Sequence, residues 1–212
     1  MKVRGYELEI GADLAGADLT DADLRSVDLS GSWLGGAVLS GSDLSDARLV
    51  GADLRHTICR ETVFADADLH HANLWSADLT DARLGGAVLS RAWLGNARLG
   101  GADLRSADLG GAWLTAADLT GTLLGAATLA GASLTRTCMR DTDLTGTFAG
   151  GVDLRGAILN GATIRAANLS GAILRGASLI DADLSLTDLV GADLTGAQMD
   201  GVSLDGIRHD ET

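Results

Sequence analysis

Read for its apolar positions, the chain has a single beat. Leucine stands at 14, 19, 24, 29 and every fifth residue beyond, and the phase holds to Leu204. Of the 39 positions in that series 33 are Leu, and the others are Cys59, Phe64, Met139, Ala149, Ile164 and Met199. Two residues before each comes a small residue, mostly Ala. The residue between is often Asp and the residue two after is often Gly, as in Gly11-Ala12-Asp13-Leu14 and Gly191-Ala192-Asp193-Leu194. A period of five fits neither common element. On an α-helix five residues advance roughly 500°, so the leucines would spiral over every face and bury none. On a long strand an odd period throws successive leucines to opposite sides. A chain that turns once per pentapeptide satisfies the pattern. Three extended residues place the small residue and the Leu inward and the residue between them outward. The next two make a corner, where Gly is favoured because some turns need φ > 0. Successive coils then stack by backbone hydrogen bonds about 4.8 Å apart. Each Leu layer is buried only by its neighbours, as in other solenoids.

This unit resembles the A(D/N)LXX motif of the pentapeptide-repeat family, and the resemblance runs over residues 12–206. It implies an all-β fold, a right-handed quadrilateral β-helix with four pentapeptides per coil. Nearly ten coils would make a rod on the order of 47 Å long at that spacing. The phase never slips, so no inserted loop is expected. Residues 1–11, with Tyr6, Leu8 and Ile10 in alternation, read as an N-terminal cap. Residues 207–212 form a short C-terminal tail that leaves the last coil thinly covered. Two stretches break the pattern, one around Cys59 and Phe64, the other from Cys138 to Ala149. The second turns Phe148 outward and Ala149 inward, which predicts a void or a local bulge.

Composition narrows the function. The net charge is −13, so bare nucleic acid is repelled and a basic partner surface is favoured. Cys59 and Cys138 are read as free thiols, with no disulfide framework. No run of 18 apolar residues suggests a membrane span, and the N-terminus lacks the apolar stretch of a signal peptide. The expected location is therefore the cytoplasm. The pair His70-His71 has no acidic or Cys partner at a metal-ligand spacing. Gly35-Gly36 and Gly85-Gly86 are repeat corners with no helix to receive a phosphate. No enzyme activity, cofactor or metal is expected.

The outward residues carry what remains. With 20 residues per coil, Trp33, Trp93 and Trp113 share one column, and Trp75 lies at the corner beside it. All four tryptophans thus fall on one face, where four Asp and four Arg cancel. Clustered exposed Trp marks a contact surface. The next face holds nine acids against three Arg, with Asp18, Asp21, Asp78, Asp81 and Asp118 among them. Asp103, Asp143 and Asp183 continue the acidic flank onto the face after it. The family resemblance adds a specific implication. Some pentapeptide-repeat proteins match B-form DNA in size, shape and charge, bind type II topoisomerases such as DNA gyrase, and protect them from quinolones and other inhibitors. This chain has the acidity and the loop-free rod, but only Phe64 supplies the central Phe common in the best-known gyrase binders. The alternative is a scaffold that uses the Trp-bearing face to bind another protein or its own copy as a homodimer.

Overall fold

The computed structural model describes residues 2–210; Met1 of the expected cap and Glu211 and Thr212 of the expected tail lie outside the described residues. Two short strands, β1 (Lys2–Val3) and β2 (Tyr6–Glu7), pair antiparallel and open the chain. Leu8 follows into the core, while Ile10 stays exposed. From Asp13 onward the backbone is a parallel β-helix. Each residue preceding an inward Leu bridges in parallel to the residue 20 positions later, without a break from Asp13↔Trp33 to Asp188↔Arg208. One turn of the helix is therefore four pentapeptides.

The motif follows from where the backbone donors go. Around the first repeats, Leu14 N–H donates to Trp33 O in the next coil at 2.8 Å, and Gly16 N–H donates to Gly35 O at 3.0 Å. Trp33 N–H reaches back to Ala12 O at 2.9 Å, and Ala17 N–H closes the corner onto Leu14 O at 3.0 Å. One N–H per unit is left, that of the first corner residue. The Asp or Asn before the Leu takes it, as Ala15 N–H to Asp13, Arg55 N–H to Asp53 and Thr120 N–H to Asp118. Asn73 and Asn168 do the same for Trp75 and Ser170. The recurrent Asp is thus an Asx-turn acceptor before it is a surface charge. The second corner residue has positive φ throughout, as at Asp21 (φ 53°) and Gly41 (φ 68°), which explains the Gly there. Pro is excluded from every position that must donate an N–H or hold φ > 0.

The core is a stack of leucines with small residues between them, buried from Leu14 to Leu184. Each buried Leu stabilises by about 1.5–3 kcal/mol relative to exposure, and the sum over coils replaces the large side chains a layered domain would need. The phase survives the irregular stretch. Phe148 is 59% exposed and bridges Thr128 and Asn168 in normal register, so no bulge forms. A small void lies beneath it instead, lined by Ala149, Met139, Leu129, Leu169 and other apolar side chains, with about 10 Å³ open to the centre of a water-sized sphere. At the far end Leu194, Met199 and Ile207 are only partly covered and Leu204 is exposed.

Candidate partner-binding faces

The Trp-bearing column reads Asp13, Trp33, Asp53, Asn73, Trp93, Trp113, Ser133, Asp153, Ile173, Asp193, one residue per coil. Trp93 and Trp113 sit in adjacent coils and stack, ring centroids 4.6 Å apart and tilted by 37°. Trp75 stands at the corner of the preceding coil, and its ring lies over Gly95, where a Cβ would collide with it. These three form one patch. Trp33 is separated from it by the Asp53 coil and is the most exposed, at 64%. Beside the patch, Thr115 and Thr135 share a hydroxyl hydrogen bond at 3.2 Å and line a shallow hollow with Arg136 and Arg155.

The acidic residues divide into held and free. Asp103 is gripped by Arg105 in a bidentate pair, and the Arg105 hydrogen bond lowers its pKa. Asp53 and Asp153 are gripped the same way by Arg55 and Arg155. Asp78 is 9% exposed, hydrogen-bonded to Arg60 at 2.8 Å and 3.6 Å from Arg98. Burial pushes its carboxyl up, and hydrogen bonds from Thr80 and Arg60 more than reverse that, so the net shift is downward. Asp183 is brought down to about 2 by hydrogen bonds from Ser185 and Arg165. Asp18 faces Arg4 of the N-terminal hairpin at 3.5 Å, and its pKa is lowered chiefly by the Thr20 hydroxyl. Asp118 and Asp143 accept from Thr120 and Thr145 and make no ion pair among the described residues.

Asp21 and Asp81 belong to a different set. They occupy the positive-φ corner, as do Glu61, Asp141 and Asp181, all in one column at coil steps. Asp21, Asp81, Asp141 and Asp181 each lean onto a glycine 20 residues later, Gly41, Gly101, Gly161 and Gly201. A side chain there would collide with the carboxylate. None of the five corner acids makes an ion pair among the described residues. By charge alone the acids are alike. The signal that separates them is position in the repeat: before the Leu an Asp caps an N–H, and at the corner it does not.

The remaining chemistry is structural. His70 hydrogen-bonds Ser90 at 2.8 Å and packs edge-on against His71. Among the described residues no group of three His, Cys, Asp or Glu is placed to hold a metal ion. Cys59 is buried, which pushes its thiol up to about 12, while Cys138 is partly exposed. Among the described residues no helix is long and apolar enough to cross a membrane.

Pentapeptide repeats match in eight copies that together run over residues 10–206. Among solved structures the chain is similar to HetL, a pentapeptide repeat protein involved in heterocyst differentiation regulation from the cyanobacterium Nostoc sp. strain PCC 7120. The identity is 34% and the TM-score 0.54, over 90% of this chain and 88% of that one. It is also similar to full-length QnrB1, a plasmid-mediated fluoroquinolone resistance protein, at 20% identity and a TM-score of 0.52, over 87% of this chain and 92% of that one. The second likeness is one of fold. No curated protein matches the chain.

Proposed function

Because the chain belongs to the pentapeptide-repeat family, we propose that it acts without catalysis, as a right-handed quadrilateral rod of nearly ten coils that mimics DNA toward a protein partner in the cytoplasm. The partner in this reading is a type II topoisomerase, DNA gyrase, whose basic DNA groove the rod would occupy and so modulate or protect from inhibitors. The observation that carries the reading is the column of unpaired corner acids, Asp21, Glu61, Asp81, Asp141 and Asp181, set on one edge of an unbroken β-helix. Their charge is not consumed by Asx turns or arginine clamps, so it is available to cations outside. The magnitude sets an expectation. A charge of −13 over a rod of roughly 47 Å is one charge per ~3.6 Å, about half the linear density of duplex DNA. Binding should be real, weaker than DNA's, and strongly salt-sensitive.

The test is gyrase supercoiling and drug-induced cleavage in the presence of the full chain, with inhibition or relief expected and both fading as salt rises. Asp21→Lys, Asp81→Lys and Asp141→Lys together should abolish the effect with the melting profile retained, since Arg91 and Arg136 already occupy equivalent positive-φ corners. Wild-type protein without effect on any type II topoisomerase at micromolar concentration would rule this reading out.

A second reading is a scaffold role for the Trp-bearing face. What favours it is the exposed Trp93–Trp113 stack with Trp75 beside it, on the one face where charge cancels. HetL, at 34% identity, acts in differentiation regulation, which a binding rod can serve by either face.

A further inference from the structure

The Trp-bearing face is patterned about its own middle, and we propose that it joins two copies of this chain side by side and antiparallel, about a two-fold axis through the step between Trp93 and Trp113. The inference rests on the reading of this face as a contact surface and is independent of the acidic flank. In such a contact the patch must be complementary to itself, so each residue meets the one at the mirrored coil. For the central column the mirrored positions add up to 206.

At the centre Trp93 meets the partner's Trp113 and Trp113 the partner's Trp93, so the two stacked pairs cover each other. One coil out, Asn73 meets Ser133, both small and polar. Two coils out, Asp53 with Arg55 meets Asp153 with Arg155, and each is already a neutral bidentate pair within its own copy. Three coils out, the exposed Trp33 meets Ile173. The corner residues follow the same rule. Trp75 comes opposite Thr135 with Arg136 next to it, and Trp33 comes within reach of Arg175. The N-terminal half of the face therefore carries the outlying tryptophans, and the C-terminal half carries arginines at the mirrored coils, the pairing that cation–π contact requires. Arg136 has no carboxylate partner among the described residues, as a cation kept for such a contact would have none. The like-charged meetings are Asp53 with Asp153 and Arg55 with Arg155, each neutralised in a pair of its own, and the outermost Asp13 with Asp193, where Arg175 lies 3.6 Å from Asp193.

A parallel arrangement lacks the tryptophan–arginine matches: it sets Trp33 against its own copy and leaves Trp75 three coils from the partner's Arg136. The other faces are acidic and repel their copies. The antiparallel pair would keep both acidic flanks outside.

Sedimentation of the full chain should show a dimer, and Trp93→Ser with Trp113→Ser should convert it to a monomer that still melts cooperatively, since both rings lie outside the leucine core. Orientation is read by cross-linking in a Cys138→Ser background. Asn73→Cys chains mixed with Ser133→Cys chains should form a disulfide-linked pair under mild oxidation, while either alone stays unlinked. A wild type that is monomeric at high micromolar concentration overturns the inference, as does an Asn73→Cys chain that links to itself. If that monomer also loses binding of a topoisomerase or another purified partner when the tryptophans are replaced, the face remains a contact surface and only self-association falls.

Discussion

Ala149→Leu should stabilise the protein, the opposite of what a larger side chain does in a filled core. Position 149 belongs to an inward column whose flanking members, Leu129 and Leu169, are leucines buried to 1% and 3% exposure. The backbone there is unchanged: Ala149 N–H donates to Asn168 O at 2.9 Å, as Leu129 and Leu169 do to their next coils at 2.8 Å. A leucine at 149 therefore finds the same backbone and the same neighbours, and the apolar void, about one water in size, takes part of its three added carbons while Met139 and Leu154 yield the rest. Three added carbons at about 0.8 kcal/mol each are worth about 2.4 kcal/mol in transfer. Loss of rotamer freedom takes back roughly 0.5–1 kcal/mol, leaving at most about 1.5 kcal/mol before the neighbours shift. The assay is urea unfolding, with the midpoint shifted upward at unchanged slope. Ala127→Leu is the control, because the inward small position has no void and overpacking should cost ~1–3 kcal/mol. If Ala149→Leu leaves the midpoint unchanged or lowers it, Met139 and Leu154 already fill the space in solution, and the claim that the core is a fixed lattice of leucine sites fails.

Other expectations follow from the same geometry. Leu99→Ala should cost roughly 2–5 kcal/mol and the outward Arg98→Ala under about 0.5 kcal/mol, so equal costs by urea titration would refute the inward and outward assignment. The Arg25 hydrogen bond lowers Asp23 to about 2, as those from Ser185 and Arg165 do Asp183, while the unfolded carboxyls titrate near 3.9. Folded pKa values below the unfolded ones mean that this stability is complete above about pH 5 and is lost as pH falls toward 2. Midpoints flat from pH 5 down to 2.5 would contradict it. A thiol reagent should modify Cys138 in the native protein and Cys59 only after unfolding, because burial keeps the Cys59 thiol protonated up to about 12. Leu186→Gly, at a corner with φ of 63°, should stabilise by about 1 kcal/mol, read again as a shift in midpoint.

The pentapeptide period by itself dictated the architecture. An inward Leu every fifth residue, a small residue two before it and a corner after it leave one way to bury every Leu without a helix or a long strand, and a period that local is readable in the linear order. The gap at Ala149 was legible in the same way, as one small residue in a series of large ones; whether it became a bulge or a void depended on whether backbone hydrogen bonds to the adjacent coils outweighed the lost packing, and they do, with Phe148 left outside. What the linear order did not contain is neighbourhood across coils. Asp103 and Asp81 already differ in the linear order, one standing before a Leu with Arg105 two residues on and the other at a corner, but only the coil brings Asp81 over Gly101. Trp75 and Gly95, or Asp78 and the pair Arg60 and Arg98, meet only because stacking sets residues 18 to 20 positions apart within side-chain reach. Which aromatics form one surface, and which acids line up on one edge, is decided by that stacking register, a property of the assembled coil that no single pentapeptide carries.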